Sequence, residues 1–377
     1  MKRHIFGLAT TLVIAATAAL SVLTAGPAVS QELKVVRFGL LPYQDWMPWA
    51  LAEKEGLFAK AGLKLEFTKF TDDITAAQAV EAGDVDVASA NSASGPLAMA
   101  RFPELQFISV SNGFTGYAIM VRPDNVAPKG EIKTYEQLYG EQIAGGASEV
   151  DAKAEAVAAA TKQLKGRSIV MDRGTGSNLP LQAALAAGGL SEDDVEYIDI
   201  PDVEGALAFW GGTGDFELGG FPQVTSLGGL GALKLISAKE LQGTSVILSG
   251  EIAKASWVAE NDDTILKMRG VWYATIDAIY DDPAMLQKLA DVANEWQGTN
   301  MTTADMQNVI DNIGYWPRAQ EADGYFFGPD ATVGTKTVFG ASLDYWINVK
   351  GQVKQGAVDL DKRLVAADIH TRFMTGK

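Results

Sequence analysis

RSIVMDRGTGSNLPLQAALAAGGLSEDDVEYIDI, Arg167–Ile200, reads as strand, glycine loop, helix, turn and strand. Arg167–Met171 is a short β-prone run, and Asp172–Asn178 supplies turn formers. Leu179–Ala187 is rich in Leu and Ala, carries Pro180 in its first turn, and is closed by Gly188-Gly189. Val195–Ile200 is the next strand. Two strands joined by a helix of this length form a βαβ unit, whose handedness sets the strands parallel. The loop puts Thr175, Gly176, Ser177 and Asn178 at a helix N-terminus, where unpaired N–H groups and the helix dipole favour an anion. The same loop also reads as a plain strand-to-helix turn with Ser177 as its cap. Nucleotide binding fits poorly: Leu179 stands where a dinucleotide fingerprint needs its third glycine, and no lysine follows Ser177.

The plan of this stretch occurs earlier in the chain. Val35–Leu41 is a strand, Pro42–Asp45 a loop, and Trp46–Lys54 a helix, with a further turn at Leu57–Ala61. Leu63–Phe70 alternates as a strand should, Ile74–Ala82 is a helix, and Asp84–Ala90 is a third strand, followed by a helix with Pro96 in its first turn. Strand starts at 35 and 63 with the pair Gly83-Asp84 give offsets of 28 and 48, against 27 and 47 for 167, 194 and Gly214-Asp215. Two equivalent lobes follow from that agreement. Tyr117–Val121 and Ser245–Leu248, preceded by Thr115-Gly116 and Gly243-Thr244, are the natural crossovers. They predict a two-strand hinge and a cleft between lobes. Lobe 1 is then 31–120 plus 245–377, and lobe 2 is 121–244.

Further on, Asp151–Leu164 is expected as a solvated helix on the second lobe. Asp262–Tyr280 carries a core-facing stripe of Ile265, Leu266, Met268, Val271, Trp272 and Ile276. Asp282-Pro283 caps a helix running to Trp296; Thr303–Ile313 and Leu343–Val349 are shorter helices, and Tyr325–Gly340 is a glycine-rich loop. Leu360–Phe373 ends the chain as a helix packing back onto the first lobe.

Composition narrows the function. Lys2 and Arg3, the apolar run Leu12–Leu23 and Ala28-Val29-Ser30 have the form of a secretory leader over residues 1–30. Without it, 29 basic residues face 47 acidic ones, a balance of −18 that disfavours nucleic acid and anionic membranes. There is no cysteine, and the two histidines are His4 in the leader and His370, expected as a surface helix residue. Thiol chemistry, zinc clusters and a histidine pair are therefore excluded. The expectation is an exported, periplasmic monomer with no cofactor and no catalytic role.

Ligands of open parallel sheets sit beyond the carboxyl ends of the strands. That rule selects Tyr43–Trp46, Thr71–Asp73, Asn91–Ser94, Asp172–Asn178 and Phe221–Gln223, with Thr115 and Thr244 bordering the cleft. The candidate contacts are Tyr43, Asp45, Trp46, Asn91, Ser92, Ser94, Thr115, Thr175, Gly176, Ser177, Asn178, Phe221 and Gln223. Trp46 and Trp49 also read as anchors of the first helix in the core, the preferred reading for Trp49. Asp45 either pairs with a ligand amine or caps the helix after it. Arg173 either meets an anion or forms a salt bridge with Asp172.

Three features carry a resemblance: Gly56-Leu57-Phe58 with Gly62-Leu63, Gly83–Ala88 leading into Asn91–Pro96, and the Gly174–Ser177 helix start. With these, residues 35–250 resemble the periplasmic substrate-binding proteins of ABC importers for taurine, alkanesulfonates and nitrate, a group that includes pyrimidine-precursor binders. The resemblance implies an α/β, type II periplasmic-binding-protein fold, closure around one small-molecule ligand, and docking on an inner-membrane ABC permease. It carries ligand contact onto Ser92, Ser94, Thr175, Ser177 and residues 221–223. A small organic anion or zwitterion, sulfonate-, taurine- or carboxylate-like, is the expected ligand. The alternatives are a neutral pyrimidine-like ring stacked on Trp46, or an exported enzyme working through carboxylates.

Overall fold

Val36, Phe38 and Leu40 alternate into the core from Lys34–Leu40 (β1), as the period of an extended strand requires. The computed structural model describes residues 32–173, 176–221, 223–241, 245–312 and 314–376. The expected leader, Thr175, Pro222 and the Gly243-Thr244 pair lie outside them.

β1 pairs in parallel with Leu63–Lys69 (β2) and with Val87–Asn91 (β3). The chain continues through Leu105–Phe114 (β4) and crosses to Ala118–Val121 (β5) in a second sheet. There Ser168–Met171 (β6) pairs in parallel with Glu196–Asp199 (β7) and Phe216–Gly219 (β8), so the expected βαβ unit is present, its helix running Asn178–Gly188. After Leu233–Ser237 (β9) the chain returns to the first sheet as Ile247–Lys254 (β10), and Gly314–Tyr315 (β11) adds an edge. Among the described residues the strand orders are β11-β4-β10-β3-β1-β2 and β7-β6-β8-β5-β9.

Both orders place the first strand after a crossing, β10 or β5, fourth from the outer strand β2 or β7, antiparallel to both its neighbours. A strand entering from the far sheet starts at the edge where the parallel strands end, so it must run backwards. The two sheets are thus equivalent, as the repeat predicts. One landmark shifts. Arg37 N–H donates to Asp86 (2.9 Å) and Ser168 N–H to Asp215 (2.9 Å), so the partner of Asp215 is Asp86, not Asp84.

The first sheet is covered on one face by Asp262–Asp281 and Pro283–Gln297, with Phe38, Trp49 and Trp272 in that core, and on the other by a cluster holding Phe107 and Phe339. The expected stripe is buried, apart from a half-buried Leu266, and Asp282 caps the following helix through Ala284 N–H (2.9 Å).

Four expectations are corrected. The alanine-rich helix, Glu149–Lys162, is not solvated all round: Ala152, Ala156 and Ala160, four apart, form a buried face. The stretch 325–340 is not a loop; it holds the π-helical turn Asp323–Phe327 and the helix Thr335–Asp344. The terminal helix is interrupted, as Leu360–Arg363 and Ala366–Thr375, where Val365 N–H donates to Phe107 O (3.1 Å) beside β4. His370 is buried rather than exposed, its Nδ1 3.0 Å from Tyr273 Oη, and burial lowers its pKa.

Candidate functional site

β1 ends at Leu40, and the chain turns through Tyr43 into the 3-10 turn Gln44–Trp46 and the helix Met47–Lys54. Three consecutive residues of β10 hold that turn. Ser249 Oγ donates to Asp45 Oδ2 (2.5 Å), Trp46 Nε1 donates to Gly250 O (3.1 Å), and Trp49 Nε1 donates to Glu251 Oε1 (2.7 Å). Trp316, fully buried, donates its Nε1 to Asp45 O (3.2 Å). Asp45 is therefore fixed from two sides and caps no helix, since Trp46 occupies that N-cap with no side-chain cap bond. Its Oδ1 is buried without a hydrogen-bond partner among the described residues. Burial pushes the carboxyl up to about 6, against the pull of Ser249 and its own backbone.

The loop after β2 brings Thr71, Asp72 and Asp73 to the same place. Asp72 caps the helix Asp73–Ala82, accepting from Thr75 N–H (2.8 Å) and Oγ1 (2.7 Å). Asp73 accepts from Asn91 Nδ2 (2.9 Å), and burial pushes its carboxyl up to about 7. Asn91 Oδ1 accepts from the N–H groups of Ala93 (2.9 Å) and Ser94 (3.1 Å), the Asx geometry that turns the chain after β3.

From the second sheet come Gly176, Gly220 and Phe221. A Cβ on Gly176 would stand 3.4 Å from Tyr117 Oη and 3.5 Å from Ala93 Cβ, so Gly176 reaches the turn that follows β3. Tyr117, at the first crossing, packs edge-on against Phe114 at 5.3 Å. The result is a cavity of about 150 Å³ at the carboxyl ends of both sheets, completed by Ile247 and Ser249 of β10. Its lining contains three carboxylates, five aromatic side chains and, among the described residues, no lysine or arginine. Hollows of about 490 Å³ beside Phe326–Val338 and about 960 Å³ between Tyr135 and Leu241 share no residue with this cavity, whereas one of about 440 Å³ beside Thr115–Ala118 shares Tyr117 and Phe221 with it.

Of the candidate contacts, Tyr43, Asp45, Trp46, Asn91, Gly176 and Phe221 line this cavity. Ser92 Oγ instead accepts from Leu248 N–H (3.0 Å), locking β3 to β10. Ser94 opens the helix Gly95–Arg101, and Gln223 starts the helix Gln223–Leu230. Thr115 borders a neighbouring hollow. Ser177 Oγ donates to Asp172 O (2.7 Å) and Asn178 Nδ2 to Arg173 O (3.0 Å), so both close their own loop. Thr175 is outside the described residues. Trp49 is a core anchor, as preferred, while Trp46 is buried and lines the cavity as well. Arg173 pairs with Glu192 (3.1 Å) rather than Asp172 and stacks on Tyr197. Sequence reasoning missed Phe114, Tyr117, Ile247 and Ser249 as contacts. The alternation Ile247, Ser249, Glu251 was visible, but only pairing with β3 shows which face meets the cleft.

Comparison with known proteins bears on the fold. Residues 30–213 match the NMT1-like family model. None of the curated protein sequences matches the chain. In structure the chain is similar to the periplasmic aliphatic sulphonate binding protein SsuA of Escherichia coli: TM-score 0.65, 17% identity, 88% of this chain and 92% of that one covered. The periplasmic nitrate-binding protein NrtA of Synechocystis PCC 6803 is similar at TM-score 0.57 and 14% identity, with 92% and 89% covered. A Candida albicans gene product of the generic periplasmic binding protein structural fold is similar at 0.55 and 10%, with 91% and 95% covered. The chain thus carries an NMT1-like segment over residues 30–213 within an α/β periplasmic-binding-protein fold, as its resemblance to the importer binding proteins implied.

Proposed function

We propose that this chain is the exported solute-binding component of an ABC importer, holding one small organic solute in the cleft between its two sheets. The observation that carries this reading is one cavity to which both sheets contribute, lined by Phe114 and Tyr117 where β4 passes to β5 and by Ile247 and Ser249 of β10. A solute touching both walls favours the closed arrangement over the open one, and that difference is what a permease reads. SsuA and NrtA, similar in fold, are periplasmic binding proteins, which supports a periplasmic location and a carrier without turnover or cofactor. SsuA and NrtA being binding proteins also supports delivery to a separate permease in the inner membrane. The carrier acts as a monomer.

Of the ligands expected from sequence, a zwitterion suits the lining better than a simple anion, because the first-lobe wall is acidic. A pyrimidine-like ring is the second reading, supported by Trp46 in the lining. A thermal-shift screen of sulfonates, carboxylates, amines and pyrimidines, followed by calorimetry and small-angle scattering, tests the function. One-to-one binding with compaction is expected. Chemical conversion of the bound compound, or saturation without compaction, would remove the carrier reading.

A further inference from the structure

We infer that the solute presents a protonated N–H-bearing amine to Asp45, an assignment that rests on the solute-binding reading and narrows it to one chemical class. Asp45 is 6% exposed, and its carboxylate has one protein donor, Ser249, on Oδ2. Oδ1 is buried beside the cavity with no partner among the described residues. Buried acceptors are nearly always satisfied, and a buried carboxylate calls for a counter-charge. The lining supplies none, and Arg173, the cation nearest in sequence to the second-lobe loop, is engaged by Glu192 and Tyr197. A cation brought by the solute fills both needs at once.

The walls say which cation. Tyr43, Trp46, Phe114, Tyr117 and Phe221 surround the carboxylates, and aromatic faces attract an organic ammonium while offering little to a hydrated metal ion. Among the described residues no three side chains are grouped to ligate a metal. A cavity of about 150 Å³ equals roughly five water volumes, the size of a short amine and not of a peptide.

Asp45 shares the cavity with Asp72, Asp73, Tyr43 and Tyr117. On the elements packed against its turn, the charged groups are Glu53 and Lys54 at the far end of Met47–Lys54, and Glu251 and Lys254 on β10; β4 has none. Burial holds the Asp45 carboxyl near 6 and the Asp73 carboxyl near 7, so ammonium binding displaces protons in that range.

The test is calorimetry of the full chain with two pairs matched in shape, taurine against isethionate and benzylamine against benzyl alcohol. The amine of at least one pair is expected to bind about tenfold to a hundredfold tighter than its alcohol, and Asp45→Asn to erase that margin. Ser249→Ala, which keeps the carboxylate and removes its donor, should move the pH midpoint of amine binding upward. Equal or tighter binding of the alcohols, or a margin that survives Asp45→Asn, overturns the amine assignment and leaves the carrier reading standing. Failure of all four compounds at millimolar concentration counts against both.

Discussion

Two carboxylates decide the chemistry at the scale of single residues. Asp45 and Asp73 are raised from an ordinary 3.8 to about 6 and about 7, in both cases chiefly by burial. The folded chain therefore keeps protons that the unfolded chain has released above about pH 4, so stability falls as pH rises through about 4 to 7. Asp45→Asn should raise the stability of the unliganded protein at pH 7.5 by up to about 3 kcal/mol and leave it unchanged at pH 4. Urea unfolding at the two pH values checks this, and equal gains at both would contradict it. Beneath the cavity, Glu251 accepts from Trp49, Ser109 and Ser111, with Arg269 Nη1 3.8 Å from its Oε2. Glu251→Leu strands the Arg269 charge in the core and should cost about 3–5 kcal/mol in the same assay. In sequence, Asp45 read equally as a cap or a ligand group. What separates them is Ser249, 204 residues away, a contact no local pattern encodes.

At the scale of elements, β10 does the positioning. Its Gly250 lies at a register shift against β4, where an added Cβ would stand 2.0 Å from Ser109 O. Gly250→Ala must push β10 away from β4 and carry Ser249 off Asp45 and the Gly250 carbonyl off Trp46. A loss of about 3 kcal/mol is expected, together with weakened solute binding; a variant with unaltered melting and affinity would show that β10 gives way without moving the site. The βαβ unit around Asn178–Gly188 was legible because its signals are local: strand period, Pro180 in the first turn, glycine at the C-cap. The helix Thr335–Asp344 was not, since counting glycines ignores where each sits; Gly340 lies inside that helix, where a Cβ would meet open space. The buried face Ala152, Ala156 and Ala160 was visible as a spacing, yet small side chains give little hydropathic contrast to mark a core face.

For the whole molecule, the two-sheet plan was readable from the repeat, while most hydroxyls and amides assigned to the cleft were not placed by it. Ser92 and Ser177 occupy the expected loops, but polar side chains next to free backbone groups satisfy those groups first, and only the packed chain shows which remain to face a ligand. Leu179, on the helix after β6, is buried among Ala93, Phe114 and Ile247, which lie beside β3 and on β4 and β10, with Tyr117 and Phe221 against them. Ser342 Oγ (2.8 Å) and Trp346 Nε1 (2.7 Å) both donate to Ala93 O, so the C-terminal segment steadies the Ala93 side of that contact. On the closure proposed above, an apolar contact between the two sheets' sides adds its burial, about 2 kcal/mol for a leucine, to the closed state alone. Leu179→Ala should then shift the unliganded population toward open forms and weaken solute affinity by at least about tenfold, since the competent state is less populated. Scattering should show the variant reaching the wild-type liganded radius only at a ligand concentration about tenfold higher. An unchanged titration with unchanged affinity would mean that the Leu179 cluster packs within a rigid molecule and has no part in closure.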